Sequence, residues 1–381
     1  MAPTSTVTRL LYLDTARGLA ALSVMTWHFL LSVYGLDITG GHFNTPARIF
    51  WYGEADVIFF FIHSGFILAY TFTLRKGSIG IRNYSSYLLE RVFRIYPLFL
   101  FILVLSFAAA NLTPAYQSGG EYDYISRFWF TAFNGHDLLN QSLLVWRIPE
   151  SANYRLIPQD WTLTVELLAG AAIPLLAYTG RKHLLLFVLL LVLLKWSTVF
   201  TTYILEFGAG VGLFLLKDRI RNFWSSLPVY LKVLIAAAAI AGYTGLFVFP
   251  SLFTTDIELL NARLDRLVVG AGCILVFIML LSSEKVQKIL SVGPLVYIGK
   301  ICYSLYLIHQ LLLFIAWRVY PEQFKTLAGQ PVYIVAGVYL LFLGLVLLLS
   351  HCGYQWVEKP MIKIGKKLAG NFVQQPSVAA V

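Results

Sequence analysis

Charge is what this 381-residue sequence has least of. Only 13% of its residues are Asp, Glu, Lys or Arg, about half the roughly one-quarter share of an ordinary soluble domain. Such a chain cannot clothe a water-facing surface. With 58% hydrophobic residues and a mean hydropathy of +0.72, it is not a disordered chain, a cytosolic enzyme or a small secreted scaffold. Cysteine is scarce as well: Cys273, Cys302 and Cys352 all fall in apolar stretches, at spacings that suit neither a disulfide framework nor a metal site. A Walker loop, a dinucleotide fingerprint, HExxH and a nucleophile elbow are all missing. There is no internal repeat and no low-complexity tract. Nor does the first apolar stretch resemble a cleavable leader, because it runs past signal length without a small-residue cleavage site; it is expected to be a retained first span.

Long hydrophobic runs are what the sequence has instead. A bilayer core about 30 Å thick takes about 20 apolar residues per helix, and spans are expected near 10–33, 53–74, 95–112, 162–178, 184–200, 201–216, 229–249, 265–281, 297–318 and 332–351. The fold class is therefore all-α, a polytopic bundle of about ten transmembrane helices. Residues 1–9 form a cytosolic N-terminus, 10–357 the membrane domain and 358–381 a cytosolic basic tail. The stretch 184–216 is broken only by Lys195, Trp196 and Ser197; as a single helix it would be about 50 Å long, so it is divided in two. With ten spans and the N-terminus inside, eighteen of the 29 Lys and Arg lie in cytosolic segments and eight in outer ones, as the positive-inside rule requires. The formal charge of +10 is thus assigned to membrane-flanking loops, not to nucleic acid. Both termini are expected in the cytosol and the chain in the plasma (inner) membrane, among its lipids. The longest loop, 113–160, falls on the outer face as a lid or partly re-entrant segment.

Ionisable side chains inside spans are costly and usually functional. The first span holds Asp14, Arg17 and His28. Asp14 and Arg17 are neighbours on one helix face, and His28, eleven residues beyond Arg17, shares that face about 16 Å along the axis. An interfacial ion pair and an interhelical histidine bond are the plain alternative. The second span carries His63, Ser64 and Gly65, with the small residues suited to close packing. Arg91 and Arg94, three apart in ERVFRIYPLF, have guanidinium forks suited to a phosphorylated ligand, or simply obey the topology rule. Glu166 in DWTLTVELLAG is a carboxylate in need of a partner. His309 in CYSLYLIHQ is either functional or satisfied by Tyr303 or Tyr306. Gly208, Gly210 and Gly212 read as packing residues, and His351 and Glu358 as topological.

In order along the chain, LDTARGLAAL with an R-x10-H pair (Arg17 and His28), FFIHSGFIL, RVFRIYPL, WTLTVE, YSLYLIH and YQWVEKP resemble the acyltransferase-3 family of integral membrane O-acyltransferases, from about residue 10 to 365. The resemblance implies transfer of an acyl group, often acetyl, from a coenzyme A thioester to a hydroxyl of a glycan or glycolipid across the membrane. It implies that Arg17 and His28 act in transfer and that Arg91 and Arg94 bind the donor, while Glu166 and His309 match recurring positions. His28 is then expected to be the general base, or to carry a transient acyl group, with Asp14, Glu166 or water orienting its ring. The resemblance further implies acyl-CoA, most often acetyl-CoA, as the donor substrate, and no permanently bound cofactor is expected. Two other classes compete: a transporter or flippase for a surface-polymer precursor, against which the missing inverted repeat counts, and a non-catalytic partner in polysaccharide assembly.

Overall fold

The computed structural model describes residues 10–35, 45–75, 79–113, 128–129, 132–146, 155–196, 203–245 and 258–372. These residues are all-helical, with no strand among them. The α-helices are α1 (Leu11–Tyr34), α2 (Gly53–Arg75), α3 (Ile81–Leu112), α4 (Gly135–Ser142), α5 (Asp160–Lys182), α6 (Leu184–Trp196), α7 (Ile204–Ser226), α8 (Val229–Tyr243), α9 (Glu258–Ser282), α10 (Glu284–Leu290), α11 (Gly293–Val319), α12 (Pro321–Leu327), α13 (Val332–Gly353) and α14 (Lys359–Phe372). Six helical segments are long and apolar enough to cross a bilayer: α1, α2, α3, α5, α11 and the run that starts with α13. The α9–α10 pair, bent by 90°, makes a seventh if counted as one span, while α6 and α8 are shorter apolar helices. The expected ten are reached only if these shorter helices and α7, whose second half carries Lys217, Asp218, Arg219 and Arg221, also cross. The run 184–216 is divided as expected, into α6 and α7. Residues 1–9, the end of the basic tail and much of the 113–160 loop lie outside the described residues. The described part of that loop contains α4, closed by a capping box between Asn134 and Asp137.

Lipid tails are as apolar as leucine, so helix association in a bilayer relies on close packing of small residues more than on burial. Three interfaces meet this demand with paired glycines. At the α1–α11 crossing, a Cβ on Gly18 would lie 2.6 Å from the Gly299 nitrogen. Gly65 and Gly210 play the same part between α2 and α7, as do Gly242 and Gly272 between α8 and α9. Of the three glycines read as packing residues in α7, Gly210 meets the α2 backbone and Gly208 meets Leu191, whereas Gly212 faces open space. Around these crossings, one apolar core gathers α2, α5, α7 and α9, and a second gathers α3, α5 and α11. α1 runs parallel to α11 between them, as the Gly18–Gly299 and His28–His309 contacts show. The end of the bundle where α1 and α11 begin is called the lower end below.

Candidate active site

The close glycine crossing brings α1 and α11 near enough for their polar residues to meet about three turns further on. His28 Nδ1 lies 3.0 Å from His309 Nε2, and the two rings are stacked with centroids 5.1 Å apart. His309, completely buried, places its Nδ1 3.0 Å from the Leu305 carbonyl. A carbonyl only accepts, so Nδ1 of His309 carries the proton. In the neutral ring Nε2 is then an acceptor, and it receives the Nδ1–H of His28. A neutral His28 accordingly holds its basic lone pair on Nε2. The expectation that Tyr303 or Tyr306 satisfies His309 does not hold: the Tyr303 hydroxyl donates to the Ile95 carbonyl at 2.7 Å, and the Tyr306 hydroxyl pairs with Thr162 Oγ1 at 2.8 Å.

Below this pair the bundle is hollow. A charged cavity of about 380 Å³ is lined by Asp14 and Arg17 of α1, Glu90, Arg91 and Arg94 of α3, Glu166 of α5, Lys300 of α11 and Lys366 of α14, among others. A much narrower cavity of about 60 Å³ continues upward between Phe60, Phe61, Cys302, Tyr303 and Tyr306. Arg17, Ser64, Arg94 and Glu166 line both, so the two are consecutive sections of one path. The path ends at Tyr306, whose ring lies 6.0 Å from that of His309.

The two arginines of α3 differ in their surroundings. Arg91 is nearly buried and donates from Nη2 to the Glu166 carbonyl at 2.8 Å, with the Glu166 carboxylate at 3.5 Å. Gly170 makes room for it: a Cβ there would sit 2.6 Å from the guanidinium. The same turn of α5 is tied to α3 by Tyr87, which donates to the Gly170 carbonyl at 2.6 Å. Arg94, one turn on, is exposed into the cavity. Arg17 donates from Nη2 to the Gly299 carbonyl at 3.4 Å. The buried Nε atoms of Arg17 and Arg91 find no hydrogen-bond partner among the described residues. Donors left over in a cavity wall suit an anionic ligand, because a charged, hydrogen-bonded partner offsets the desolvation of a buried donor.

Of the residues singled out in the sequence, Arg17, Asp14, Arg91, Arg94 and Glu166 thus share the lower cavity, and His28 and His309 share the upper pair. Asp14 lies about 21 Å along α1 from His28, and Glu166 lines the lower path. The side chain hydrogen-bonded to His28 Nδ1 is His309, and Asp14 is too far along the helix to orient that ring. His63 is buried, donates from Nε2 to the Leu13 carbonyl at 3.1 Å across the α1–α2 contact, and also lines the charged cavity. Glu358 is the residue that sequence reasoning missed. Far from topological, it is buried, accepts from Ser304 Oγ at 2.8 Å and lines the charged cavity. It sits at the end of a π-helical turn, Tyr354–Glu358, a local widening that often marks functional sites. Its sequence signals were a lone acidic residue just before the basic tail and its place in the YQWVEKP motif. His351, by contrast, pairs with Tyr297 on the exposed surface.

A family model described as an acyltransferase domain matches residues 10–351 of the chain, nearly its whole length. No curated protein and no solved structure matches it.

Proposed function

We propose, because this chain belongs to the acyltransferase-3 family, that it is a membrane-embedded O-acyltransferase drawing an acyl group, most simply acetyl, from coenzyme A thioester on the cytosolic side. The acceptor is a hydroxyl of a glycan or glycolipid on the outer side. One observation carries the reading: a path lined below by Arg17, Arg91 and Arg94 narrows upward to Tyr306, whose ring packs against that of His309, the partner of His28. A donor with phosphates at one end and a thioester at the other matches that polarity. The guanidinium groups hold the phosphates, the pantetheine arm follows the aromatic section, and the thioester reaches His28 past the Tyr306 ring.

In this reading His28 Nε2 takes the proton of the acceptor hydroxyl as its oxygen attacks the thioester carbonyl. The carbon–sulfur bond then breaks, and the departing CoA thiolate recovers the proton from His28. Positioned general-base help of this kind is worth typically 10²–10⁴-fold. His309 holds the His28 ring in the tautomer that leaves Nε2 basic, through the Leu305–His309–His28 chain of hydrogen bonds. Attack by His28 Nε2 on the thioester, giving an acyl-imidazole that the acceptor then opens, uses the same nitrogen and the same chain.

The test is transfer of labelled acetyl from acetyl-CoA into membrane glycans by wild type and His28→Ala at matched membrane levels. Label with wild type only, at least about 10²-fold above the variant, is expected. Equal label with both would make His28 structural and the reading wrong.

A further inference from the structure

The charged cavity contains more cations than the arginines of α1 and α3. Lys300 reaches it from α11 and Lys366 from α14. Lys366 is exposed, and its place is set by the packing of α14 on α3. Gly365 lies against Phe93 with no room for a side chain, and Ser86 Oγ donates to the Ala369 carbonyl at 3.1 Å. α14 therefore carries Lys366 alongside the turn of α3 that holds Glu90 and Arg94. Arg17 and Arg94 stand at the junction of the two cavity sections, since they line both, whereas Lys300 and Lys366 line only the lower one. The acidic groups in that section are Asp14, Glu90, Glu166 and Glu358. Glu166 is engaged by Arg91 and Glu358 by Ser304.

Coenzyme A carries a pyrophosphate next to its pantetheine arm and a separate 3′-phosphate on the ribose, further from the thioester. We propose that Lys300 and Lys366 form an outer phosphate subsite that takes the ribose 3′-phosphate while Arg17, Arg91 and Arg94 serve the pyrophosphate. This inference rests on the acyl-CoA reading above and adds a specificity to it. Ammonium groups on flexible stems suit a terminal phosphate monoester met as a point charge, and guanidinium forks suit the bridged pyrophosphate deeper in. The donor is thereby restricted to coenzyme A itself over carriers that present only a phosphopantetheine arm.

The experiment is binding of coenzyme A and of 3′-dephospho-coenzyme A to the full-length purified protein, by calorimetry at one ionic strength. Wild type is compared with Lys300→Gln/Lys366→Gln and with Lys300→Arg/Lys366→Arg. The expected result is that wild type prefers coenzyme A by about tenfold or more, the scale of a charge-assisted contact. That preference collapses toward one in the Gln variant and survives in the Arg variant. A preference that persists in the Gln variant, or one absent from wild type although both ligands bind, overturns the subsite and leaves the donor reading standing. Binding of neither ligand by wild type overturns the donor reading, and the subsite with it.

Discussion

At the scale of single residues, the proposed reaction gives the two histidines different jobs. In it His28 presents the reacting nitrogen and His309 acts through it, as a positioning residue. Replacing His309 by Phe preserves a ring in a buried slot but removes the acceptor that faces His28 Nδ1. The expected outcome is a fall in kcat of at least tenfold, on the order of 1.4 kcal/mol of transition-state stabilisation, with KM for the donor little altered. Steady-state kinetics at matched protein levels check it, and a change confined to KM would remove the tautomer argument. Sequence spacing singled out both histidines because ionisable groups are expensive in a span, but spacing within one helix says nothing about a partner 281 residues away. Glu358 shows the reverse case. It was set aside as part of a basic tail, and only the π-helical turn, which no periodicity announces, directs it to Ser304.

At the scale of elements, the α1–α11 contact is what the site depends on, because the crossing at Gly18 and Gly299 brings the two helices together one end away from the histidines. A side chain at Gly299 has nowhere to go, since the space is occupied by the Asp14 carbonyl and the Thr15 nitrogen. Gly299→Leu must therefore separate the helices. A cost of at least about 1–3 kcal/mol is expected from overpacking, read as a lowered unfolding midpoint of the detergent-purified protein together with lost activity. Gly344→Leu is the control: nothing lies within 4 Å of a Cβ there, and its midpoint is expected to stay at the wild-type value. Among the glycines, Gly65 and Gly210 were legible as packing residues from their setting in apolar helices. The pairing of Gly18 with Gly299 was not, because it joins segments with no common period or motif.

At the scale of the whole molecule, the distribution of lysine and arginine is the ground for proposing that the charged cavity faces the cytosol. Fusions in a bacterial inner membrane test this: a green fluorescent protein at either terminus is expected to fluoresce and an alkaline phosphatase at either terminus to stay inactive. An active phosphatase at one end would reverse the direction in which the donor enters. Low charge and long apolar runs made the all-helical membrane class readable from composition alone, since a bilayer punishes every exposed charge and every unpaired backbone group. They made the number of spans less readable, because α6 and α8 are short and α7 is half charged; for such helices neighbours, not composition, set the placement. The sequence by itself determined which ionisable residues fall inside spans, where they are too costly to be there without a reason: Asp14, Arg17, His28, His63, Glu166 and His309. The tertiary structure alone decided that these divide into an arginine-lined cavity and a histidine pair joined by a narrowing path. A one-dimensional pattern records which face of a helix a residue occupies, whereas contact between helices depends on crossings set by glycines far apart in the chain.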